Sequence, residues 1–309
     1  MDAIDWLLDS DPAIRWQAMR DLTDATPQAI ADERARVSRE GVGARILACH
    51  GADGAWHRPD AHDWLPTLYT MLLLRATGTD PADSAVAAAV ARLAVGFRWH
   101  ESLGHKPFFE GETEPCINGG TLALGGYFGR PSESLARRLV GEQLDDGGWN
   151  CEAPKSVRSS FHSTICVLEG LLEYERAVGS APEIAAARRR GDEYLLERAL
   201  FRRRSTGEVA NPAFLTFGFP PRYHYDVLRA LDYFRAAGAP PDPRMDDAVH
   251  AVERSRQADG RWLLDRSHDE ALALPFDETV GEPSRWNTLR ALRVLRWYGR
   301  ARLEPTTAA

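Results

Sequence analysis

The sequence predicts an all-α fold built from repeated helix hairpins. An Asp-Gly-x-Trp pattern occurs three times, at 53–56, 146–149 and 259–262. Five apolar stretches have the length of a helix and end near a glycine, and runs of alternating β-branched residues, which are typical of strands, are nearly absent. Repetition at a period of several tens of residues indicates one supersecondary unit copied along the chain.

The apolar stretches are predicted to be the inner helices of the hairpins. They lie at 64–78, 115–129, 162–179, 223–238 and 286–299, and their closing glycines are 51, 50, 59 and 61 residues apart. Glycine just past the last periodic residue is a helix C-cap signal. More polar segments between them begin near Pro or Asp and predict amphipathic outer helices. An N-terminal pair at 11–22 and 27–37 supplies a sixth hairpin, and six hairpins would close a ring.

Composition excludes several classes of protein. The chain has 309 residues, 44% of them hydrophobic and 27% charged, and a net charge of −7, which argues against a nucleic-acid binder. The arginine runs at 188–190 and 202–204 are interpreted as solvated helix faces. No signal peptide or transmembrane segment is visible, which predicts a cytoplasmic protein. We expect one domain over 1–303 and a disordered tail at 304–309, and no protein partner is indicated.

Two of the tryptophan turns carry a longer pattern. They read Gln-Leu-Asp-Asp-Gly-Gly-Trp at 143–149 and Gln-Ala-Asp-Gly-Arg-Trp at 257–262. These stretches resemble the QW motifs of squalene and oxidosqualene cyclases. Together with the hairpin period, the chain resembles the superfamily of terpene cyclases and protein prenyltransferases over residues 6–298. The resemblance implies an (α/α)6 toroid. In the turn itself, Gly permits the bend, Asp is expected to cap the adjacent helix start, and Trp packs between helices.

The chemistry of a conventional squalene–hopene cyclase is not expected. The Asp-x-Asp-Asp motif with which those enzymes protonate their substrate is absent, and the chain has about half of their repeats. Protein prenyltransferase β-subunits are single toroids that hold zinc with an Asp-x-Cys and a later His. Glu114 and Cys116 at one inner helix start, and His162 at the next, are similar in type and order. The resemblance therefore implies a zinc site with Cys116, His162 and either Glu114 or Asp226 as ligands.

Helix starts on one rim of a toroid converge on its central cavity, so polar residues there are candidates for the site. His224 with Asp226 can form a general acid/base pair, and Asp226 or Asp63 can supply a proton. Aromatic walls suit an apolar or cationic intermediate. The alternatives remain open: a cysteine in an apolar helix is often a small buried hydrophobe, and a histidine at a helix start often makes only a capping hydrogen bond. The residues expected to line the cavity are Trp64, Trp286, Asn287, Tyr223 and Phe109.

Three functions follow as hypotheses. The first is an enzyme that acts on a small lipophilic, isoprenoid-derived molecule in the central cavity, as the resemblance implies. The second is a zinc-dependent transferase or hydrolase that uses Cys116 and His162. The third is a non-catalytic binding or interaction module, because a fold alone does not specify a function. No nucleotide cofactor is expected, since neither a dinucleotide-binding nor a P-loop glycine motif is present.

Overall fold

The computed structural model describes residues 2–61 and 64–302, with side chains as far as residue 299. Thirteen α-helices and one pair of two-residue antiparallel strands occur in these ranges, which confirms the all-α prediction. The strands are Trp262–Leu263 (β1) and Pro283–Ser284 (β2). The helices are Ala3–Leu8 (α1), Pro12–Leu22 (α2), Pro27–Arg34 (α3), Gly41–Ala48 (α4), Trp64–Ala76 (α5), Ser84–Gly96 (α6), Pro115–Tyr127 (α7), Glu133–Gly141 (α8), Phe161–Val178 (α9), Pro182–Leu196 (α10), Val227–Ala236 (α11), Asp246–Arg254 (α12) and Arg285–Arg302 (α13).

Each of the five apolar stretches contains a helix, and these helices are α5, α7, α9, α11 and α13. The first four end before a glycine of positive φ, with φ of +69, +72, +88 and +69° at Gly78, Gly129, Gly179 and Gly238. The fifth does not: Gly299 lies inside α13, which continues to Arg302. Arg and Ala follow this glycine, and these good helix formers extend the helix where a Pro or Asn would have ended it.

Contacts between helices run along the chain and return to its start. Helix α5 contacts α7, α7 contacts α9, and α11 contacts α13. Helix α13 then packs against α1 and α2, where Arg293 Nη1 donates to Gln17 Oε1 at 3.1 Å. The first and last helices of the described chain are therefore neighbours.

Helices α7 and α9 are in backbone contact. A Cβ atom added to Gly119 would lie 2.4 Å from the Cys166 carbonyl oxygen, and one added to Gly170 would lie 2.4 Å from the Gly119 carbonyl oxygen. Such distances leave no room for any side chain larger than hydrogen. The glycines of these two stretches thus set the spacing between the helices.

The three Asp-Gly-x-Trp turns make the same hydrogen bonds. Each tryptophan is fully buried, and its indole Nε1 donates to the carbonyl oxygen ten residues earlier. Its backbone N–H donates to the hydroxyl of a threonine on a following helix. The pairs are Trp56 with Ile46 (2.8 Å) and Thr67 (3.1 Å), Trp149 with Leu139 (2.6 Å) and Thr164 (3.0 Å), and Trp262 with Val252 (2.7 Å) and Thr288 (3.0 Å).

The aspartates of these turns have a different role from the one expected. Asp53 and Asp259 accept from the backbone N–H two residues later, both at 3.1 Å, and Asp146 accepts from Ser159 N at 3.1 Å. They stabilise the turn rather than a helix start, because each turn is separated from the next helix by further residues. In the described part of the chain, none of the helices is long and apolar enough to cross a membrane.

Candidate functional site

A cavity of about 700 Å³ lies between α2, α3, α5, α9, α11 and α13. One end is lined by Tyr69 and by Phe219 to Arg222, near the starts of the inner helices. The other is lined by Gly78, Arg176 and Ala236, near the ends of α5, α9 and α11. The cavity therefore runs along the helices rather than lying only at their starts.

An aromatic wall forms part of the inner end. The rings of Phe219 and Trp286 stack with centroids 4.4 Å apart and an interplanar angle of 9°. Tyr69 lies beside them in the wall, and the Arg222 guanidinium lies 4.8 Å from its ring centroid. Burial is the largest influence on the Tyr69 phenol and raises its pKa. This end thus offers ring faces and a neutral hydroxyl.

The rest of the wall is rich in arginine. Among the described residues that line the cavity there are nine arginines and four acidic residues, and two of the arginines, Arg20 and Arg222, pair with Asp21 and Glu270, which do not line it. The acidic residues are Asp80, Glu169, Glu173 and Asp232. The arginines are Arg20, Arg34, Arg75, Arg176, Arg222, Arg229, Arg235, Arg290 and Arg293.

Ion pairs organise these arginines. Arg229 holds Glu169 with two hydrogen bonds of 2.9 and 2.7 Å, and Arg75 lies 3.0 Å from Glu173. Burial raises the pKa of Glu173, but the charges of Arg75 and Arg176 outweigh it and leave that pKa below its usual value. Glu173 therefore stays ionised beside Arg75 and Arg176.

Two further arginines in the wall, Arg290 and Arg34, have no hydrogen bond to a carboxylate among the described residues. The Arg290 guanidinium is 3.8 Å from Asp226 and donates to Gly218 O at 3.2 Å. The Arg34 guanidinium donates to Gly78 O at 2.8 Å and to the Tyr127 hydroxyl at 3.3 Å. These cations are held mainly by neutral groups, so they contribute strongly to the positive potential of the cavity.

The predicted metal ligands are only partly brought together. Ligand atoms of Glu114, Cys116 and Cys151 lie within 4.8 Å of one another, and this is a cluster of the described residues that could hold a metal ion. Cys151 was not among the predicted ligands. His162, a predicted ligand, is not one of these three residues. Its Nδ1 accepts a hydrogen bond from Tyr225 N at 2.9 Å.

The two thiols influence each other. The Cys151 thiol and burial both raise the pKa of Cys116, whereas the hydrogen bond with Cys116 lowers the pKa of Cys151. The Ser163 hydroxyl also lies 3.3 Å from the Cys151 sulfur. A shared proton between two sulfurs explains the opposite directions.

Two histidines form a stack near His162. His224 and His268 are parallel with centroids 3.8 Å apart, and the His162 ring lies 5.9 Å from that of His224. Burial, followed by nearby positive charge, lowers the pKa of His162 to about 4 and that of His224 to about 3, and burial also lowers the pKa of His268. All three imidazoles are neutral near pH 7.

Asp226, the predicted acid, and Asn287, a predicted cavity residue, both make hydrogen bonds to backbone groups. Asp226 is 2% exposed and caps α11, where its Oδ1 accepts from Arg229 N at 2.7 Å. The Asn287 amide donates to Phe217 O at 3.0 Å and to Leu263 O at 2.9 Å. Neither residue lines the cavity. Asp63 lies outside the described residues.

Of the five predicted wall residues, only Trp286 lies in the cavity wall. Trp64 packs 6.0 Å from Trp99, Phe109 packs 5.1 Å from Phe108, and Tyr223 stacks on His224 with centroids 4.1 Å apart. Trp64 and Phe109 pack around the helix starts, whereas Tyr223 is exposed. Sequence reasoning missed the arginines, although arginines inside otherwise apolar segments, such as Arg229 and Arg290, were a usable signal.

Comparisons with known proteins give distant similarities of structure. No protein-family model matches the chain, and no curated protein matches its sequence. A protein from Actinoplanes is similar in structure, with 14% identity and a TM-score of 0.48 over 96% of this chain and 97% of that one. A variant of the type II terpene cyclase MstE from Scytonema, solved with its product merosterolic acid A, has 14% identity and a TM-score of 0.48 over 94% and 87% of the two chains.

Proposed function

We propose that the chain is an (α/α)6 toroid whose central cavity binds and transforms a small molecule with an apolar, isoprenoid-like body and an anionic group. The observation that carries this proposal is the excess of arginines over acidic residues around the cavity, next to a stacked aromatic wall. The packing of α13 against α2 supports the ring arrangement.

The size and lining of the cavity suit such a ligand. Small-molecule sites usually have volumes of about 300–1,000 Å³, and this cavity has about 700 Å³. Phe219 and Trp286 offer apolar surface to the body of the ligand, which gains the hydrophobic contribution of burial. Guanidinium groups bind carboxylates and phosphates through paired, charge-assisted hydrogen bonds. A fully apolar ligand would leave Arg34, which is held by neutral groups, and the weakly paired Arg290 without an anion at hydrogen-bond distance.

The wall also suggests a type of reaction. Positive side chains around a departing or transferred anionic group stabilise the negative charge that develops on it. The aromatic rings at the inner end could stabilise positive charge on the apolar part, since ring faces attract cations. Asp226 and His224 do not line the cavity, so this chemistry is assigned to the cavity arginines and Tyr69 rather than to that pair.

Ligand binding tests the proposal directly. Trp16 and Trp286 line the cavity, so their fluorescence reports on occupancy. We would titrate the protein with farnesyl diphosphate, with a fatty-acid anion of similar length and with neutral farnesol. Because a charge-assisted hydrogen bond contributes about 1.5–3 kcal/mol, the anions should bind at least about tenfold more tightly than the alcohol. Equal affinity for the alcohol and the anions would overturn the anionic part of the proposal, and no binding of any of them would overturn all of it.

A matched pair of variants locates the binding site. Arg34→Met removes a guanidinium from the cavity wall, whereas Arg36→Met removes an exposed one that pairs with Glu33 and Glu40 outside it. The first should weaken binding of the anions and the second should not. Product analysis by mass spectrometry after incubation then separates an enzyme from a binding module, because a module would return the ligand unchanged.

A second candidate function is a zinc site at Glu114, Cys116 and Cys151. Two thiols and a carboxylate are ligands that zinc accepts, and three protein ligands leave a coordination position open for water or substrate. When bound, zinc would supply an activated water or thiol there. Zinc content that is near stoichiometric, is lost in Cys116→Ser and Cys151→Ser and is retained in Cys49→Ser would support it. Folded protein without metal after zinc loading would rule it out.

A further inference from the structure

Two cysteines from separate parts of the chain meet at the start of α7. Cys116 is the second residue of that helix, and Cys151 follows the Asp-Gly-Gly-Trp turn 35 residues later. Their sulfur atoms lie within 4.8 Å of each other. Neither cysteine is part of the cavity wall, although Cys116 lies close enough to the wall residue Tyr69 to raise its pKa.

The local structure holds the two sulfurs in place. The Cys151 backbone N–H donates to the Ser163 hydroxyl at 3.3 Å, which ties this residue to α9. The turn before Cys151 is fixed by the buried Trp149, whose N–H donates to Thr164 on the same helix. Cys116 is carried by α7, which packs in backbone contact with α9. Cys116 is therefore carried by α7, and Cys151, in the segment before α9, is held against α9 by these hydrogen bonds.

Both thiols are also accessible. Cys116 and Cys151 are partly exposed, whereas Cys166 is buried and accepts a hydrogen bond from Arg229 at 3.5 Å. Cys49 is exposed as well, and its thiol donates to Ile46 O at 3.3 Å. A small oxidant in solution can reach the pair, and the small separation of the sulfurs means that little movement is needed to join them.

We propose that Cys116 and Cys151 are a redox-modification site that a peroxide converts to a disulfide. One thiol loses its proton and attacks a peroxide oxygen as the thiolate. The O–O bond breaks, a sulfenic acid forms, and the departing hydroxide takes up the released proton and leaves as water. The second thiol attacks that sulfur and displaces the hydroxyl as a second water. Two hydrogens are lost from the protein and one hydrogen peroxide is reduced to two waters. A small dithiol reverses the reaction by exchange.

The disulfide has two structural consequences. It covalently links the segment after the tryptophan turn to the start of α7. It also consumes both sulfurs of the candidate zinc site, so bound zinc and the disulfide exclude each other. Zinc loading should therefore protect the pair from oxidation if the metal binds there.

The test uses the full chain, reduced, treated with chelator and freed of reductant, then exposed to hydrogen peroxide. Free-thiol assay and intact mass should show the loss of two of the four thiols and of two hydrogen atoms. Peptide mapping should join the peptides that contain Cys116 and Cys151, and dithiothreitol should restore four thiols. Cys49→Ser, which removes an exposed thiol elsewhere, should form the same cross-link.

The cysteine variants complete the test. Cys116→Ser and Cys151→Ser should each fail to form an intramolecular disulfide, and their thermal unfolding shows whether they fold. If either variant does not fold, the wild-type peptide map decides alone. A wild-type protein that keeps four thiols, or that forms mixed or intermolecular disulfides without the link from Cys116 to Cys151, would overturn the proposal. The cross-link in the expected position would establish it whatever the ligand titrations of the cavity show.

Discussion

Arg293 on α13 and Asp232 on α11 form a two-point ion pair in the cavity wall. Arg293 Nε donates to Asp232 Oδ1 at 2.8 Å, and Nη2 donates to Oδ2. Arg235 Nε contacts the same carboxylate at 2.9 Å. Burial raises the pKa of Asp232, but the charges of these arginines outweigh it and hold that pKa well below its usual range. One carboxylate therefore connects two helices and is shared by two half-buried cations.

Removing that carboxylate should destabilise the protein. In Asp232→Asn, Arg293 and Arg235 keep a half-buried charge without a full counter-charge, which we expect to lower the free energy of unfolding by about 3 kcal/mol. Urea denaturation measures the change. Asp60→Asn is the control, because Asp60 pairs with Arg58 at the surface and such pairs contribute less than about 1 kcal/mol. Similar effects in the two variants would contradict this interpretation of Asp232.

Close packing of α7 and α9 predicts that alanine destabilises the protein at a glycine between these helices and not at a glycine in open space. Gly119→Ala places a methyl group against the Cys166 carbonyl and should cost about 1–3 kcal/mol of stability. Gly141→Ala, in α8 where an added Cβ meets nothing within 4 Å, should instead stabilise by about 0.5–1 kcal/mol. Thermal unfolding of both variants checks the sign. A Gly119→Ala protein as stable as wild type would show that the helices can separate without cost.

The three threonine hydroxyls that accept hydrogen bonds from the turn tryptophans should contribute about equally to the stability of the protein. Thr67→Val, Thr164→Val and Thr288→Val each leave a buried tryptophan N–H without its acceptor, so each should lower the free energy of unfolding by about 1–3 kcal/mol. Thr206→Val, at an exposed position, should change it little. Chemical denaturation of the four variants provides the comparison. A loss in only one of the three would mean that the shared hydrogen bond does not carry the effect.

Acid should destabilise the fold through the histidine stack. Burial and nearby positive charge lower the pKa of His162 to about 4, whereas the ordinary value is 6.5. As the pH falls, the His162 imidazole is therefore protonated in the unfolded chain before it is protonated in the folded one. Its contribution to the free energy of unfolding is present above pH 6.5 and is lost as the pH falls towards 4. His162→Gln cannot titrate, and its melting temperature should fall less over this window than that of the wild type. The exposed His100→Gln should follow the wild type; if both variants behave alike, His162 is not responsible.

The helices were predictable because their signals are local. Apolar periodicity and a following glycine identified α5, α7, α9 and α11, and the positive φ at Gly78 is the conformation that such a signal requires. Gly299 was the exception, since a glycine followed by helix formers does not end a helix. One helix start differed: α11 begins at Val227 rather than near 223 because Asp226 caps it.

The candidate site was much less predictable. Cys116 and Glu114 were selected by residue type, but Cys151 joins them through the geometry of a turn that spacing does not reveal. Arginines 229 and 290 were overlooked because an arginine on a helix is usually solvated, and only the arrangement of neighbouring helices shows that these face a cavity.

The sequence by itself determined an all-helical chain, the positions of its main helices and the three buried tryptophan turns. Those properties depend on residues close together in the chain, through periodicity, capping and turn conformation. Tertiary structure alone decided which side chains line the cavity, that Asp226 and Asn287 serve the backbone, and that Arg229 meets Glu169 across 60 residues of chain. Such contacts depend on how the helices are rotated and offset against one another, and this is set by packing of the whole chain rather than by any local pattern.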